Sequence, residues 1–329
     1  MPASRRPGRF RGAVVVLTGA SSGIGRAAAL AFAREGADLV LAARGRRGLE
    51  DTARLCRMQG ACVLALPTDV TVPGEVRRLA DSALEAFGRI DVWINNAGVG
   101  AVGWFEEVPL EAHRRVIDTD LLGPLNGAAA VLPHFIRQGR GVMINTVSIG
   151  AWVAPPLAAA YTAAKFGLRG LTEALRQDMR RFPGIHVCGL YPTFVDTPGL
   201  RHGANYSGRR IDPVSPMQRP ETVAARMLDL AARPRAVALV GLSTWLGRLA
   251  YAHAPGTVGA LLARAMGGAL AAAGPERRHD GNLFAPPDDP PRRSDGFNRR
   301  AAARLAPLAV PLAMAAGAVA LARRGAAAR

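Results

Sequence analysis

The sequence predicts a doubly wound α/β domain, in which helices cover both faces of a parallel sheet. Between Ala13 and Gly241, short β-branched or aliphatic runs recur, and amphipathic segments of helical length lie between most of them. Glycine, asparagine or aspartate stands at the turns. Apolar strands that alternate with helices in this way are typical of a parallel sheet buried on both faces.

The strand candidates are seven runs that are rich in valine, isoleucine and leucine. They are AVVVLT (13–18), ADLVLAA (37–43), ACVLALP (61–67), IDVWIN (90–95), GVMINTV (141–147), IHVCGLYP (185–192) and AVALVG (236–241). The segments RAAALAFAREG and EVRRLADSALEAFG, which follow the first and third strands, show the three- and four-residue spacing of apolar residues that an amphipathic helix requires. We therefore expect one α/β domain over 13–241.

The rest of the chain differs from this domain in composition. We expect a basic arm over 1–12 and an apolar helical extension over 242–284, while a Gly/Pro-rich stretch, 198–220, interrupts the domain itself. A linker rich in proline and charge follows over 285–304, and an apolar tail over 305–329.

The tail contains an uncharged stretch, 305–322, which is flanked by arginines on both sides. As a helix it would be only ~27 Å long, against a hydrocarbon core of ~30 Å. Three interpretations stay open: a marginal membrane anchor, a tail docked on a partner, or a helix that frays in water. Membrane contact is slightly favoured over docking, and the basic flanks give no orientation.

Composition narrows the class of protein. The chain has 329 residues, 49% of them hydrophobic, which is a globular composition. Its net charge of +17 is compatible with nucleic acid or an anionic membrane, but the arginines are dispersed and aromatic residues make up only 5%. We expect no nucleic-acid binding.

The cysteines and the N-terminus indicate where the protein works. Cys56, Cys62 and Cys188 lack the spacing of a zinc site, so we expect reduced thiols and no metal. The first strand follows the N-terminal arm with no apolar signal segment before it. We expect a cytoplasmic protein that is peripheral to or anchored in the membrane by 305–322, and a homo-oligomer.

A glycine-rich turn, TGASSGIG, follows the first strand and precedes the first helix. It contains Thr18, Gly19, Ser21, Ser22, Gly23, Ile24 and Gly25. A helix N-terminus offers free amides to a pyrophosphate, and glycines allow the tight turn, the close approach of phosphate and the packing of helix on strand. The turn therefore predicts dinucleotide binding.

The end of the second strand indicates which dinucleotide is bound. A carboxylate there would accept hydrogen bonds from the adenosine ribose, but the strand ends in Ala43 and is followed by Arg44. Guanidinium binds phosphate through bidentate, charge-assisted hydrogen bonds. The pattern favours NADP(H) over NAD(H), with Arg44 near the 2′-phosphate.

Tyr161 and Lys165, four residues apart in a helical segment, project from one face. Lys165 is the only lysine of the chain, among 42 lysine and arginine residues. An ammonium beside a phenol favours the phenolate, as a general acid/base requires, and arginine is a broader group that does not release its proton. Ser148, at the end of a strand, is placed to donate to an oxygen that develops charge.

These motifs, in this order and spacing, resemble the short-chain dehydrogenase/reductase family over roughly residues 13–241. The resemblance rests on TGASSGIG, NNAG at 95–98, Ser148 and YTAAK at 161–165. It implies a Rossmann-fold catalytic domain and hydride transfer between nicotinamide and a carbonyl or carbinol carbon. It also implies that the Gly/Pro-rich stretch 198–220 is a substrate lid.

The resemblance also implies residue roles. Tyr161 would be the general acid/base, Ser148 would orient the substrate oxygen, and Lys165 would bind the nicotinamide ribose and assist Tyr161. The remaining cofactor contacts that it implies are Asp69 and Val70 at adenine, Asn95, Ala97 and Gly98 in the turn beside the cofactor, and Pro192, Val195 and Thr197 near the nicotinamide amide.

One position departs from the family pattern. The family usually has an asparagine three residues before the glycine of the central helix, where it helps to hold a water that links the lysine to solvent. Here the segment is DTDLLG, and Asp120 stands in that place. A carboxylate still accepts from Lys165 or water, but its charge opposes the effect of Lys165 on the phenol.

The sequence thus predicts an NADP(H)-dependent oxidoreductase that acts on a carbonyl or secondary alcohol of a lipophilic small molecule. The lipophilic substrate is inferred from the apolar extension, which would suit a surface over a hydrophobic binding pocket or contact with a bilayer. The alternative is a catalytically weak NADP(H)-binding scaffold, or a membrane-associated interaction protein, in which Asp120 marks a degraded proton relay.

Overall fold

The structure, a computed structural model, describes residues 8–211, 217–287 and 292–296. Its strands are β1 (Val14–Thr18), β2 (Asp38–Ala43), β3 (Val63–Pro67), β4 (Val92–Asn95), β5 (Ala101–Val102), β6 (Gly141–Thr146), β7 (Ile185–Tyr191), β8 (Ala204–Asn205) and β9 (Val237–Leu239). Its α-helices are α1 (Gly23–Arg34), α2 (Arg46–Arg57), α3 (Pro73–Phe87), α4 (Leu110–Ile117), α5 (Gly123–Gln138), α6 (Ala159–Asp178), α7 (Gly199–His202), α8 (Pro220–Ala232), α9 (Leu242–His253) and α10 (Pro255–Ala272).

The main sheet confirms the predicted fold class. Its strands are all parallel and lie in the order β3-β2-β1-β4-β6-β7-β9, and they correspond to the seven runs expected from the sequence. Each crossover passes through a helical connection, as parallel strands require. The domain is a Rossmann-type sheet wound in both directions from β1.

Both faces of the sheet are covered by apolar side chains. In β1, Val15 and Leu17 join the core beneath α1, α2 and α8, whereas Val14 and Val16 join the core beneath α3 and α5. The alternation follows from the two-residue period of a strand. It explains why all four residues from Val14 to Leu17 are apolar.

Helix boundaries follow local chemistry. Pro73 begins α3 and Pro220 begins α8, where the missing amide of proline costs nothing because the first amides of a helix have no internal acceptor. Gly88 and Gly139 follow α3 and α5 in the left-handed conformation, with φ of 72° and 75°. Glycine adopts this conformation without the steric penalty of a Cβ atom.

The strand order reverses between β1 and β4, which are neighbours in the sheet. The chain after β1 continues into one half of the sheet, and the chain after β4 continues into the other half. In open α/β sheets, the crevice at such a switch point lies outside the carboxyl ends of the strands and is the usual place for a ligand. The glycine turn after β1 and the NNAG turn after β4 both lie at this crevice.

The chain continues beyond β9 through α9 and α10, and residues 274–287 then return towards the crevice. There, antiparallel bridges join Asn205 to His279 and Arg209 to Pro275, beside the short parallel pair β5–β8. Within the described ranges, no helix is long and apolar enough to cross a bilayer. The predicted tail over 305–329, most of the N-terminal arm, and parts of the lid and linker lie outside the described residues.

Candidate active site

The glycine turn has the geometry that its sequence predicts. Gly19 and Gly23 have positive φ values of 69° and 53°. A Cβ atom on Gly25 would lie 2.1 Å from the carbonyl oxygen of Gly19, so this position admits no side chain. The turn therefore brings the backbone of α1 close against β1, as the third glycine of a dinucleotide-binding turn does.

The first turn of α1 is chemically suited to an anion. Ser22 precedes the helix without a capping hydrogen bond from its side chain, and the first turn carries no acidic residue. The helix N-terminus thus offers amides and partial positive charge to a phosphate, and in this structure the Gly23 amide donates to the carbonyl of Arg292 at 2.8 Å. Thr197 faces this point, since a Cβ on Gly23 would lie 3.2 Å from the Cβ of Thr197. The residues fit a dinucleotide pyrophosphate.

Thr18 connects the two turns of the crevice. Its hydroxyl donates to the carbonyl of Ile94 at 3.2 Å and accepts from the amides of Asn96 and Ala97 at 2.9 Å and 3.1 Å. Asn96 donates in return to the carbonyl of Thr18 at 3.1 Å. The sequence interpretation did not include Asn96, although its place beside Asn95 in the NNAG motif was a signal for it.

The side chain of Asn95 points into the sheet. Its amide nitrogen donates to the side-chain oxygen of Asn145 at 2.8 Å, and its oxygen accepts from the indole of Trp93 at 2.8 Å. Asn145 donates to Thr172 on α6 at 2.9 Å. This buried network ties β4 and β6 to α6, the helix that carries Tyr161 and Lys165.

Ser148 and Tyr161 converge on Gly150. A Cβ atom on Gly150 would lie 3.4 Å from the Ser148 hydroxyl oxygen and 3.2 Å from a ring carbon of Tyr161. Ser148 follows β6, and its hydroxyl accepts from the amide of Gly150 at 3.0 Å. Tyr161 lies in the first turn of α6 and is half-buried. The two hydroxyl-bearing side chains therefore face one small space at the crevice.

Lys165 lies one helical turn after Tyr161 and is buried. Its ammonium is 5.5 Å from the centroid of the Tyr161 ring and donates to the carbonyl of Thr146 at 3.2 Å. Its other partner is the Asp120 carboxylate, whose Oδ2 is 3.0 Å away. The only lysine of the chain is thus held between β6, Tyr161 and a buried carboxylate.

Asp120 lies in a π-helical turn, Asp118–Leu122, between α4 and α5. Its second oxygen accepts from the amide of Val99 at 2.8 Å, and a Cβ on Gly98 would lie 3.1 Å from its Oδ2. Burial raises the pKa of Asp120, while Lys165 opposes this effect. Burial alone would lower the pKa of Lys165, but the Asp120 carboxylate and the Tyr161 phenol outweigh it and leave the pKa raised.

Arg44 lies at the end of β2, where the sequence predicts it. Its guanidinium donates to the carbonyls of Leu283 and Asn282, at 2.7 Å and 2.5 Å. The Leu283 carbonyl also accepts from Arg115 at 3.0 Å. Burial lowers the pKa of Arg44, and the neighbouring Arg115 adds to this effect. Arg115 and the segment around Leu283 were not foreseen from the sequence.

The Asp69 carboxylate accepts hydrogen bonds from Arg115 and Thr71. Arg115 donates at 2.5 Å, and the amide and hydroxyl of Thr71 donate at 3.0 Å and 2.8 Å. Burial alone would raise the pKa of Asp69, but these partners outweigh it and leave the pKa lowered. Val70 packs on the start of α5, where a Cβ on Gly123 would lie 2.8 Å from it.

The loop after β7 completes the crevice. The carbonyl of Pro192 accepts from the amide of Ile149, the residue after Ser148, at 2.9 Å. Val195 is buried and is bridged to Gln218. This loop therefore braces the Ser148 turn on one side and places Thr197 against the glycine turn on the other.

The arrangement supplies two hydroxyl groups that can share a proton with a small polar atom, beside an ammonium and a phosphate-compatible turn. No cluster of histidine, cysteine or acidic side chains able to hold a metal ion occurs among the described residues. The geometry is suited to acid/base chemistry next to a bound dinucleotide.

Comparison with known proteins agrees with this geometry. The short chain dehydrogenase family matches residues 13–205. The putative oxidoreductase SadH of Mycobacterium tuberculosis is 36% identical over 242 residues, which cover 71% of this chain and 87% of SadH. The uncharacterized oxidoreductase YxnA of Bacillus subtilis is 32% identical over 71% of this chain, and the match spans 66% of the length of YxnA.

Many solved structures are similar in fold, and two of them contain a nicotinamide cofactor or a derivative of one. A short chain dehydrogenase/reductase from Burkholderia phymatum in complex with NAD has a TM-score of 0.69 and 30% identity, over 75% of this chain and 95% of that one. An alcohol dehydrogenase from Thermococcus sibiricus complexed with 5-hydroxy-NADP has a TM-score of 0.60 and 30% identity, over 69% and 94% of the two chains. Fold, family match and relatives agree, and this chain belongs to the short-chain dehydrogenase/reductase family of oxidoreductases.

Proposed function

We propose that the protein is an NADP(H)-dependent oxidoreductase that interconverts a carbonyl and a secondary alcohol on a lipophilic small molecule. The observation that carries this proposal is the convergence of Ser148 and Tyr161 on Gly150, with Lys165 one turn further along α6. This set lies at the carboxyl edge of the sheet, beside the glycine turn. Oxidoreductases of this family act on small molecules, which agrees with a crevice of this kind.

When bound, NADP(H) supplies or accepts the hydride. In the reducing direction, the Tyr161 hydroxyl gives its proton to the substrate oxygen as the carbonyl carbon becomes a carbinol, and in the oxidising direction it takes that proton back. The Ser148 hydroxyl donates a hydrogen bond to the same oxygen and orients it. The Lys165 ammonium stabilises the phenolate form of Tyr161 and holds the nicotinamide ribose.

The preference for NADP(H) rests on charge at the end of β2. Arg44 occupies the place where a carboxylate would favour NAD(H), and Arg115 brings a second guanidinium to the same carbonyl oxygen. Asp69 is the carboxylate that contacts Arg115 there, so the pair of guanidinium groups keeps an excess of positive charge. Such a site favours the 2′-phosphate.

The lipophilic substrate is supported by the walls around Tyr161. The ring packs against an apolar cluster that includes Val99, Val108 and Tyr206. Phe194 and Leu200 are exposed on the chain that follows β7, which places apolar surface next to the crevice. A hydrophobic substrate would bury this surface.

A homo-oligomer is part of the proposal. Leu122, Leu125 and Phe166 are each about two-fifths exposed, at 41%, 42% and 41%, and lie at the start of α5 and on α6. A second copy of the chain would cover such apolar residues.

A second candidate function is a membrane-associated interaction protein that binds NADP(H) but turns it over weakly. The apolar stripe of α9 favours it: Leu242, Trp245, Leu246 and Leu249 are all exposed and recur at helical spacing. The apolar tail over 305–322 would then provide membrane contact, with the catalytic domain in the cytoplasm.

One experiment separates the two candidates. The protein is titrated with NADPH by fluorescence, and turnover is then measured on a panel of ketones and aldehydes of increasing chain length. The oxidoreductase proposal expects NADPH binding and turnover that rises with apolar length. Tight binding with no turnover on any member would favour the second candidate.

A further inference from the structure

Two described halves of the C-terminal part of the chain, 274–287 and 292–296, lie at the proposed cofactor crevice. The first half, 274–287, is anchored beside β8: the phenol of Tyr206 donates to Asp280 at 2.6 Å, and the side-chain amide of Asn205 donates to Glu276 at 2.8 Å. The antiparallel bridges at His279 and Pro275 add backbone pairing. This half is built onto the wall of the crevice.

The centre of this half covers the end of β2. The side chain of Leu283 is fully buried, and its carbonyl accepts from both Arg44 and Arg115. Pro286 then lies against the start of α2, since a Cβ on Gly45 would be 3.1 Å from the Cβ of Pro286. The segment therefore lies over the place where the adenosine end of the cofactor is proposed to bind.

The second described stretch, 292–296, reaches the glycine turn itself. The carbonyl of Arg292 accepts from the amide of Gly23 at 2.8 Å. The hydroxyl of Ser294 donates to Asp196 at 2.9 Å, and the buried Asp295 carboxylate is 3.2 Å from the guanidinium of Arg201. A backbone carbonyl thus occupies a donor that the pyrophosphate would use.

We propose that residues 292–296 form an autoinhibitory strap that competes with the cofactor for the N-terminus of α1. This inference rests on the proposed function, because it needs a dinucleotide at that turn. One amide hydrogen cannot serve the Arg292 carbonyl and a phosphate oxygen at full strength, so binding of the dinucleotide displaces the strap. The strap regulates access to the site that the glycine turn defines.

The two halves differ in how firmly they are held. Residues 274–287 have backbone bridges to the wall and the buried Leu283. The contacts that hold 292–296 near the crevice are a hydrogen bond from a backbone amide, a hydrogen bond from a hydroxyl group, and ion pairs. We therefore expect the dinucleotide to displace residues 292–296. The first half stays attached to β8 through Tyr206 and Asn205, but the Leu283 carbonyl must release Arg44 before that guanidinium can bind a 2′-phosphate.

The test compares the full chain with the double variant Ser294→Ala/Asp295→Asn, which weakens the contacts of the strap with Asp196 and Arg201 and leaves the glycine turn intact. Since the apparent Kd is the intrinsic Kd divided by the open fraction, the variant should bind NADPH about five- to tenfold more tightly. Asp81→Asn/Ser82→Ala, an acid and serine pair on α3, is the matched control and should leave the Kd unchanged.

A second readout follows the strap directly in the unmodified protein. Trypsin cleaves after arginine, and the strap offers Arg292 and Arg293. Saturating NADPH should release the strap and accelerate cleavage after these residues about fivefold or more, as identified by the masses of the fragments. Ordinary ligand protection would slow cleavage instead.

The outcomes distinguish the two proposals. Tighter binding by the strap variant together with faster cleavage supports the strap. Equal NADPH binding by variant and wild type, with no change in cleavage, overturns the strap and leaves the proposed function standing. If neither protein binds NADPH, the proposed function is overturned. The strap is then overturned as well, because there would be no cofactor for it to compete with.

Discussion

The Lys165 ammonium lies 3.0 Å from the Asp120 carboxylate, and the two side chains are only 6% and 1% exposed. A buried ion pair is costly to form and much more costly to break, because removing one partner leaves an uncompensated charge in the interior. Lys165 is therefore held as an ammonium in a fixed position beside Tyr161. The carboxylate that departs from the family pattern is its direct partner.

Replacing Asp120 with asparagine should destabilise the protein by about 3 kcal/mol at neutral pH, because the ammonium loses its charged partner. The raised pKa of Lys165 sets the pH window: this stabilisation is fully present below pH 10.5, the ordinary value, and is lost as the pH rises through the higher folded-state pKa. The difference between variant and wild type should therefore shrink at strongly alkaline pH. Urea unfolding, followed by circular dichroism across this range, measures it.

The same variant should keep its activity at neutral pH or increase it. The amide oxygen of asparagine can still accept from Val99, and the negative charge that opposes the phenolate is gone. The acid limb of the pH-rate profile should then move to lower pH. Equal stability of the two proteins at neutral pH, or a collapse of activity that is not explained by unfolding, would contradict this account of the pair.

Replacing Lys165 with arginine should lower kcat/KM by about 100-fold, in the range that acid/base assistance contributes. The guanidinium is broader than the ammonium and does not fit the space between Thr146, Asp120 and Tyr161 without displacing one of them. Arg169→Lys, four residues later on α6, is the matched control. Steady-state rates that are equally insensitive to both exchanges would show that the compact charge is not needed.

The sheet was predictable because its signal is local. Each strand is a short apolar run, and a parallel sheet buried on both faces needs nothing else along these segments. The glycine turn, Ser148, Tyr161 and Lys165 were predictable for the same reason, since each motif lies in one stretch of chain. The fold then brings together motifs that were already recognisable one by one.

The contacts of Arg44 were not predictable from local pattern. Its partners, Asn282 and Leu283, lie more than 200 residues away in sequence and contribute backbone carbonyls, which carry no residue-type signal. Arg115 was hidden among many dispersed arginines. Asp120 could be recognised as a departure from the family, but its pairing with Lys165 required the structure.

Replacing Arg44 with alanine should weaken NADPH about 10- to 100-fold, which corresponds to the loss of charge-assisted hydrogen bonds to the 2′-phosphate. NADH should bind as before, because it has no 2′-phosphate for the Arg44 guanidinium to hold. Arg47→Ala, an exposed neighbour on α2, is the control. Fluorescence titrations with both nucleotides give the ratio, and an equal effect on the two would contradict the proposed preference for NADP(H).

Deletion of residues 301–329 should move the protein from the membrane pellet to the supernatant after cell lysis, because the uncharged stretch 305–322 would be removed. Deletion of 325–329 alone keeps this stretch and should leave the distribution unchanged. Turnover of a water-soluble carbonyl should be the same in all three proteins. An identical distribution of the full chain and the longer deletion would refute membrane contact through the tail.

The central claim is that Tyr161 is the general acid/base of a hydride transfer. The most direct measurement is NADPH oxidation by wild type and Tyr161→Phe in the presence of a ketone that wild type turns over, with NADPH binding measured on both proteins. We expect the variant to bind NADPH normally and to lose about 100- to 10,000-fold in kcat, as the loss of a general acid/base implies. A variant that binds NADPH and reduces the ketone at the wild-type rate would contradict the claim.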